Sequence, residues 1–154
     1  MRYYPMFLSL SEKTAVVVGG GKVGLRKTKG LLGAGARVKV ISPAWRAEFE
    51  GLPVKLVRRA FRASDLKGAC LAFAATDHRE VNRRVEREAK RLGIPVNVAD
   101  DPAACDFIVP ARVRSGELQV AVSTSGRSPR LAAELKRKIG AVLKGVPLSA
   151  IPTR

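Results

Sequence analysis

Residues 16–27 read VVVGGGKVGLRK: three valines, three glycines, then a charged segment with helical spacing. The short apolar run from Ala15 to Val18 suits a strand buried on both faces, and Lys22 to Leu32 continues as a helix until Gly33 and Gly35 stop it. The stretch predicts strand, glycine turn, helix. Within it, Gly19-Gly20-Gly21-Lys22-Val23-Gly24 matches G-x-G-x-x-G. The first glycine permits the sharp turn, the second lets a pyrophosphate approach bare backbone, and the third lets helix and strand pack closely. The N–H groups at the helix start then face the anion. Six residues alone would be weak evidence, and a merely structural turn is the alternative. The strand-turn-helix context points to dinucleotide binding.

Working outward, the same alternation continues. Arg37 to Ile41 predicts a second strand, Ala44 to Glu50 a short helix, Val54 to Val57 a third strand and Cys70 to Ala74 a fourth. Asp77 is placed to cap a long helix, with Glu80 three residues on completing a capping box and Val81, Val85, Ala89 and Leu92 on one face. Pro95 to Ala99 is a fifth strand. This order specifies an α/β fold: a parallel sheet with helices on both sides. After Asp100 the pattern changes. FIVPARV and LQVAVST, separated by RSGE, read as a hairpin, and Ser128 to Leu143 as a basic amphipathic helix with Ser128 as cap and Pro129 at its first position. So small a piece extends the sheet or pairs with a second subunit. The tail GVPLSAIPTR reads as loosely ordered.

Composition narrows the function classes. A chain of 154 residues, 46% hydrophobic, buries one sizeable core plus an extension. No stretch reaches the roughly 18–20 apolar residues that cross a bilayer, and MRYYPMFLSL lacks a signal-peptide pattern, so a cytoplasmic protein with no membrane partner is expected. Cys70 and Cys105 lack metal-ligand spacing and read as free thiols. A net charge of +16 should attract polyanions. Nucleic acid is one candidate, but aromatics are only 5% and no nucleic-acid motif is present, which argues against it. An acidic small molecule is the other, beside a plain solvated basic surface.

One half of the dinucleotide fingerprint is missing. An acidic residue should end the second strand, about twenty residues after the glycines, to hold a ribose. Here the chain reads VKVISPAW, leaving Ser42 and the backbone at Pro43 and Ala44 to do that work. Arg46 is within reach of a 2′-phosphate, so NAD and NADP are separated only weakly.

Four segments in order, VVVGGGKVGLRK, AATDHREVN at 74–82, VNVADDPAACDFIVPA at 96–111 and VAVSTSGRSPRLA at 120–132, together resemble the precorrin-2 dehydrogenase family, the amino-terminal module of siroheme synthases, also credited with sirohydrochlorin ferrochelatase activity. The resemblance is collinear from about residue 4 to about residue 145. It implies a Rossmann-type domain over 1–112, a dimerisation segment over 113–154, and a homodimer. Relatives usually continue into a small helical domain, which is not expected within these 154 residues. It implies NAD-dependent oxidation of precorrin-2 to sirohydrochlorin in siroheme biosynthesis, followed in some members by Fe²⁺ insertion. Carried over by motif, the cofactor residues are Gly19, Gly21, Lys22, Val23 and Gly24, then Ser42, Pro43 and Ala44, then Thr76 and Asp77. The acid-base aspartate of the N-V-x-D stretch is Asp100. The serine phosphorylated in some members falls at Thr124.

The residues agree with this on separate grounds. Ligands of an open parallel sheet bind beyond the carboxyl ends of its strands, where Asp100 and the glycine turn both lie. Asp101, before Pro102, is the better candidate for capping a turn. Precorrin-2 carries eight carboxylates, which gives the positive charge a use. His78, the sole histidine, reads as a surface residue, and no residue set fixes a metal; Asp100 alone would meet Fe²⁺ transiently. Two other classes stay open: an NAD(H)-sensing regulatory module and a basic nucleic-acid-binding protein.

Overall fold

The computed structural model describes residues 3–144. They form two compact units, one of Pro5–Phe107 and one of residues 108–144 with Tyr3 and Tyr4. The tail GVPLSAIPTR lies outside the described residues.

The larger unit is a five-stranded parallel sheet. Its elements are β1 (Thr14–Val18), α1 (Lys22–Leu32), β2 (Arg37–Ile41), β3 (Lys55–Val57), β4 (Leu71–Ala74), α2 (Arg79–Arg91) and β5 (Val96–Val98), with short 3₁₀ turns at Ala47–Phe49, Ala63–Leu66 and Pro102–Ala104. The strand order is β3-β2-β1-β4-β5. Because side chains alternate along a strand, β1 feeds two cores. Ala15 and Val17 pack with Leu25 and Leu31 of α1, while Val16 and Val18 pack with Val85 and Ala89 of α2. Each face of the sheet thus carries a helix, as the alternation predicts.

The register sets up the functional edge. Val57, Ile41, Val18, Ala74 and Val98 are aligned across the sheet as its last paired row. The ladder runs one rung further: the N–H groups of Ser42, Gly19, Ala75 and Ala99 donate to the carbonyls of Val57, Ile41, Val18 and Ala74. Four strands therefore release their chains at one level. The exposed edge of β5 is closed by Asp106, whose Oδ2 takes the Val96 N–H and whose own N–H donates to Val96 O. Such cover blunts an edge that would otherwise pair with another chain.

Three local expectations are corrected. Asp77 does not cap α2: the helix starts at Arg79 with His78 at the N-cap and no side-chain cap. Thr76 Oγ1 takes the His78 N–H at 3.2 Å and closes a turn ahead of the helix, and Glu80 pairs with Arg83 at 3.3 Å instead of completing a capping box. The helix expected over Ala44 to Glu50 shrinks to the turn Ala47–Phe49, because the Arg46 N–H is drawn onto Gly20 O at 3.0 Å. Phe107 does not join the hairpin: its ring stacks edge-on against Phe73 at 5.5 Å, and its carbonyl takes a bond from Asn97.

In the smaller unit β6 (Ala111–Ser115) and β7 (Leu118–Val122) pair antiparallel, and α3 (Pro129–Leu143) packs on them. Ser128 Oγ accepts the Leu131 N–H and Pro129 occupies the first helical position, as expected. The hairpin is a separate two-stranded sheet, so it does not extend the parallel one. Among its described residues only Ala132 is buried, while Leu131 and Val142 are 46% and 68% exposed.

Candidate active site

The strand order reverses between β1 and β4, the switch point beyond whose carboxyl ends open α/β sheets usually bind their ligands in a crevice. The glycine turn forms one wall. Gly19 has φ +125°, and a Cβ there would lie 2.2 Å from Ala75 O. A Cβ at Gly20 would meet Ala44 O at 2.2 Å, and one at Gly24 would meet Gly19 O at 2.1 Å. These three hold the turn tightly against the ends of β2, β4 and α1. Gly21 differs: nothing lies within 4 Å of where its Cβ would be. It is the N-cap of α1, has no side-chain cap, and no acidic residue follows in the first turn. The first N–H groups of a helix have no partner within it, and the helix dipole favours an anion there. A pyrophosphate fits this cradle.

Lys22 and Val23 begin α1, the lysine exposed and the valine half-buried. Ser42 sits buried at the end of β2, with Pro43 and Ala44 exposed beside the glycine turn. Arg46 is held by Glu48, its Nε and Nη2 donating to Oε1 at 3.1 and 2.9 Å, and this guanidinium keeps the Glu48 carboxyl below its ordinary value. Thr76 and Asp77 follow β4, Thr76 half-buried and Asp77 exposed.

Asp100 follows β5 and is exposed. Its Oδ1 accepts a bond from Asn82 Nδ2 at 3.0 Å. Among the described residues Oδ2 takes no hydrogen bond. Asp101 does the capping, accepting the Ala103 N–H at 3.1 Å. The loop carrying both is pinned by buried Cys105, whose sulfur takes the Val98 N–H at 3.1 Å and lies 3.2 Å from Val98 O. Burial pushes the Cys105 thiol up, so it stays protonated and serves as a packed hydrogen-bonding group. Cys70 is likewise free.

Asn82 is the residue that motif reading passed over. It stands within AATDHREVN, and a signal was there: a polar side chain three residues before Val85 and seven before Ala89, on the buried face of α2. In the structure it ties Thr76 to Asp100.

Comparison with known proteins accords with this geometry. A family model described as "Putative NAD(P)-binding" matches residues 6–111, and one described as sirohaem biosynthesis protein, central, matches residues 115–141. The siroheme synthase of Nitrosomonas eutropha is 41% identical over 148 residues, covering 93% of this chain and 31% of that protein. The siroheme synthase of Methylococcus capsulatus is 46% identical over 143 residues, covering 90% and 30%. The chain thus spans a little under a third of the length of these curated relatives. Among solved structures, SirC, a precorrin-2 dehydrogenase, superposes with a TM-score of 0.76 at 28% identity, over 91% of this chain and 71% of that one. The chain belongs to the NAD(P)-binding family whose model spans 6–111, and its likeness to siroheme synthases and SirC bears out the resemblance carried by its four motifs.

Proposed function

We propose that this chain oxidises precorrin-2 to sirohydrochlorin with NAD, as a step of siroheme biosynthesis in the cytoplasm. The observation that carries the reading is the pairing, along one sheet edge, of a bare helix N-cap at Gly21 with a tethered carboxylate at Asp100. When bound, NAD supplies the hydride acceptor. Gly21 and the first N–H groups of α1 bind the pyrophosphate, and Ser42, Pro43 and Ala44 take the ribose end. The pairing of Arg46 with Glu48 occupies the cation that would attract a 2′-phosphate, which favours NAD over NADP. Thr76 and Asp77 line the opposite wall.

Loss of a hydride from the macrocycle leaves a proton to be removed. Asp100 is turned by its Oδ1 bond so that Oδ2 is the oxygen offered to that proton. The charge of +16 attracts the eight carboxylates of the substrate. Fe²⁺ insertion, implied by the resemblance for some members, would fall to Asp100 as well; among the described residues no three His, Cys, Asp or Glu side chains cluster to hold a metal. The smaller unit, with one buried residue among its described residues and an apolar α3 surface at Leu131 and Val142, is the segment through which we propose two copies associate. Among the described residues no helix is long and apolar enough to cross a membrane.

The deciding experiment mixes purified protein with precorrin-2 and NAD and follows sirohydrochlorin absorbance. NAD-dependent appearance of product is expected. Tight NAD binding without product would favour a nucleotide-sensing module, and salt-sensitive DNA binding tighter than tetrapyrrole binding would favour a nucleic-acid role.

A further inference from the structure

We propose that Asn82 is a positioning residue that sets the Thr76 wall of the cofactor crevice and the Asp100 carboxylate in register with one another. The inference rests on the dehydrogenase reading and deepens it. Asn82 is 1% exposed and uses all its hydrogen-bonding capacity. Its Oδ1 accepts from Thr76 N at 3.2 Å and from Thr76 Oγ1 at 2.7 Å. Its Nδ2 donates to Thr76 O at 3.0 Å and to Asp100 Oδ1 at 3.0 Å. The amide can sit only one way round, since a flip would set its NH₂ against the Thr76 N–H and its oxygen against a carbonyl and a carboxylate.

Three of these bonds seize a single residue, Thr76, at the start of the loop after β4. The fourth crosses 18 positions in sequence to the loop after β5. A residue that merely anchored the start of α2 would need no such arm. The bond to Asp100 is charge-assisted and therefore among the stronger and more directional kinds. It fixes one carboxylate oxygen and leaves the other for the proton. Because Thr76 also packs beside Gly19, whose built Cβ would lie 3.1 Å from Thr76 N, one buried amide couples the proton acceptor to both walls of the crevice. A displacement of about 1 Å at such a group can cost about 10²-fold in rate.

The test uses Asn82→Ala, Asp100→Ala and the double variant, with melting temperature, NAD affinity by calorimetry, and turnover of precorrin-2 measured on each. Asn82→Ala should weaken NAD by roughly 3- to 10-fold through Thr76 and lower turnover by roughly 10- to 10²-fold through Asp100. Asp100→Ala should lower turnover alone. In the Asp100→Ala background, removing Asn82 should weaken NAD by the same factor yet cost no further turnover, the non-additivity expected when one residue acts through another. Losses in turnover that multiply, or full turnover in Asn82→Ala, would overturn the proposal. If Asn82→Ala does not fold, the near-isosteric Asn82→Asp replaces it: it keeps the acceptor for Thr76 N and Oγ1 but loses the donors to Thr76 O and Asp100 and sets a second carboxylate against Asp100, so turnover should fall at least as far as in Asn82→Ala, and full turnover would overturn the proposal. The Asn82 side-chain amide resonances of ¹⁵N-labelled protein supply a readout independent of catalysis. They should shift on Asp100→Ala; unshifted resonances would break the link even if the wild type proved not to oxidise precorrin-2, whereas shifted resonances in a protein without turnover would fault the dehydrogenase reading alone.

Discussion

Gly21→Asp separates nucleotide binding from folding more cleanly than any other change at this site. Gly21 has φ −80° and ψ −171°, extended backbone open to any residue, and no atom lies within 4 Å of its built Cβ. The new side chain therefore strains nothing. As an N-cap, Asp should match or exceed Gly by a few tenths of a kcal/mol, so melting should hold or rise slightly. The same carboxylate enters the space assigned to the pyrophosphate. At about 4 Å, one charge repels another by about 4 kcal/mol at an effective dielectric of about 20 and about 1 kcal/mol at about 80. Gly21 is exposed, which favours the weaker limit, but the pyrophosphate carries two charges. A loss of about 2–4 kcal/mol follows, or roughly 30- to 700-fold in NAD affinity. Calorimetry measures this and a thermal melt checks the fold. Unchanged affinity in a folded variant would refute the cradle. Gly19→Ala should behave oppositely and lose stability first, since φ +125° and a 2.2 Å approach to Ala75 O leave no room for a side chain.

Asp100→Ala should keep NAD affinity and lose turnover by roughly 10²- to 10⁴-fold, whereas Asp101→Ala should cost about 1 kcal/mol of stability through its lost cap and little turnover. A fully active, folded Asp100→Ala enzyme would remove the acid-base assignment. Asp65→Ala should destabilise the protein by about 2–3 kcal/mol, because this buried carboxylate takes a two-pronged bond from Arg59 at 2.7 and 2.8 Å and a third from Arg62 N at 2.9 Å, while partial exposure of Arg59 tempers the loss. Arg59 holds the Asp65 carboxyl below its ordinary value of 3.8, so its contribution is complete above that pH and fades as pH falls through the lowered value. Denaturant melts of wild type and variant should converge below about pH 4, and a gap that stays constant would show that the pair is not its source. Sedimentation at micromolar concentration should show a dimer that Leu131→Asp with Val142→Asp dissociates. A stable wild-type monomer would exclude the assembly.

Periodicity and turn chemistry act between neighbours in the chain, and what they govern was legible in the sequence. VVVGGGKVGLRK specified β1, the glycine turn and α1, and the alternation behind it specified a parallel sheet with helices on both faces. Ser128 and Pro129 marked the start of α3, and Asp101 its own capping role, because a cap is made within three or four residues. The start of α2 shows where such reasoning stops: Asp77 and Glu80 have the right spacing for a capping box, but Thr76 is claimed by Asn82 and turns the chain before the helix begins. Only the tertiary structure decided that Asn82 meets Asp100, that Asp65 is buried against Lys39 of β2, and that the hairpin forms its own sheet instead of extending the parallel one. Each depends on bringing together groups from different elements. A hydrogen bond or buried ion pair between such groups is set by how sheet and helices pack, and leaves no period in the sequence from which to read it.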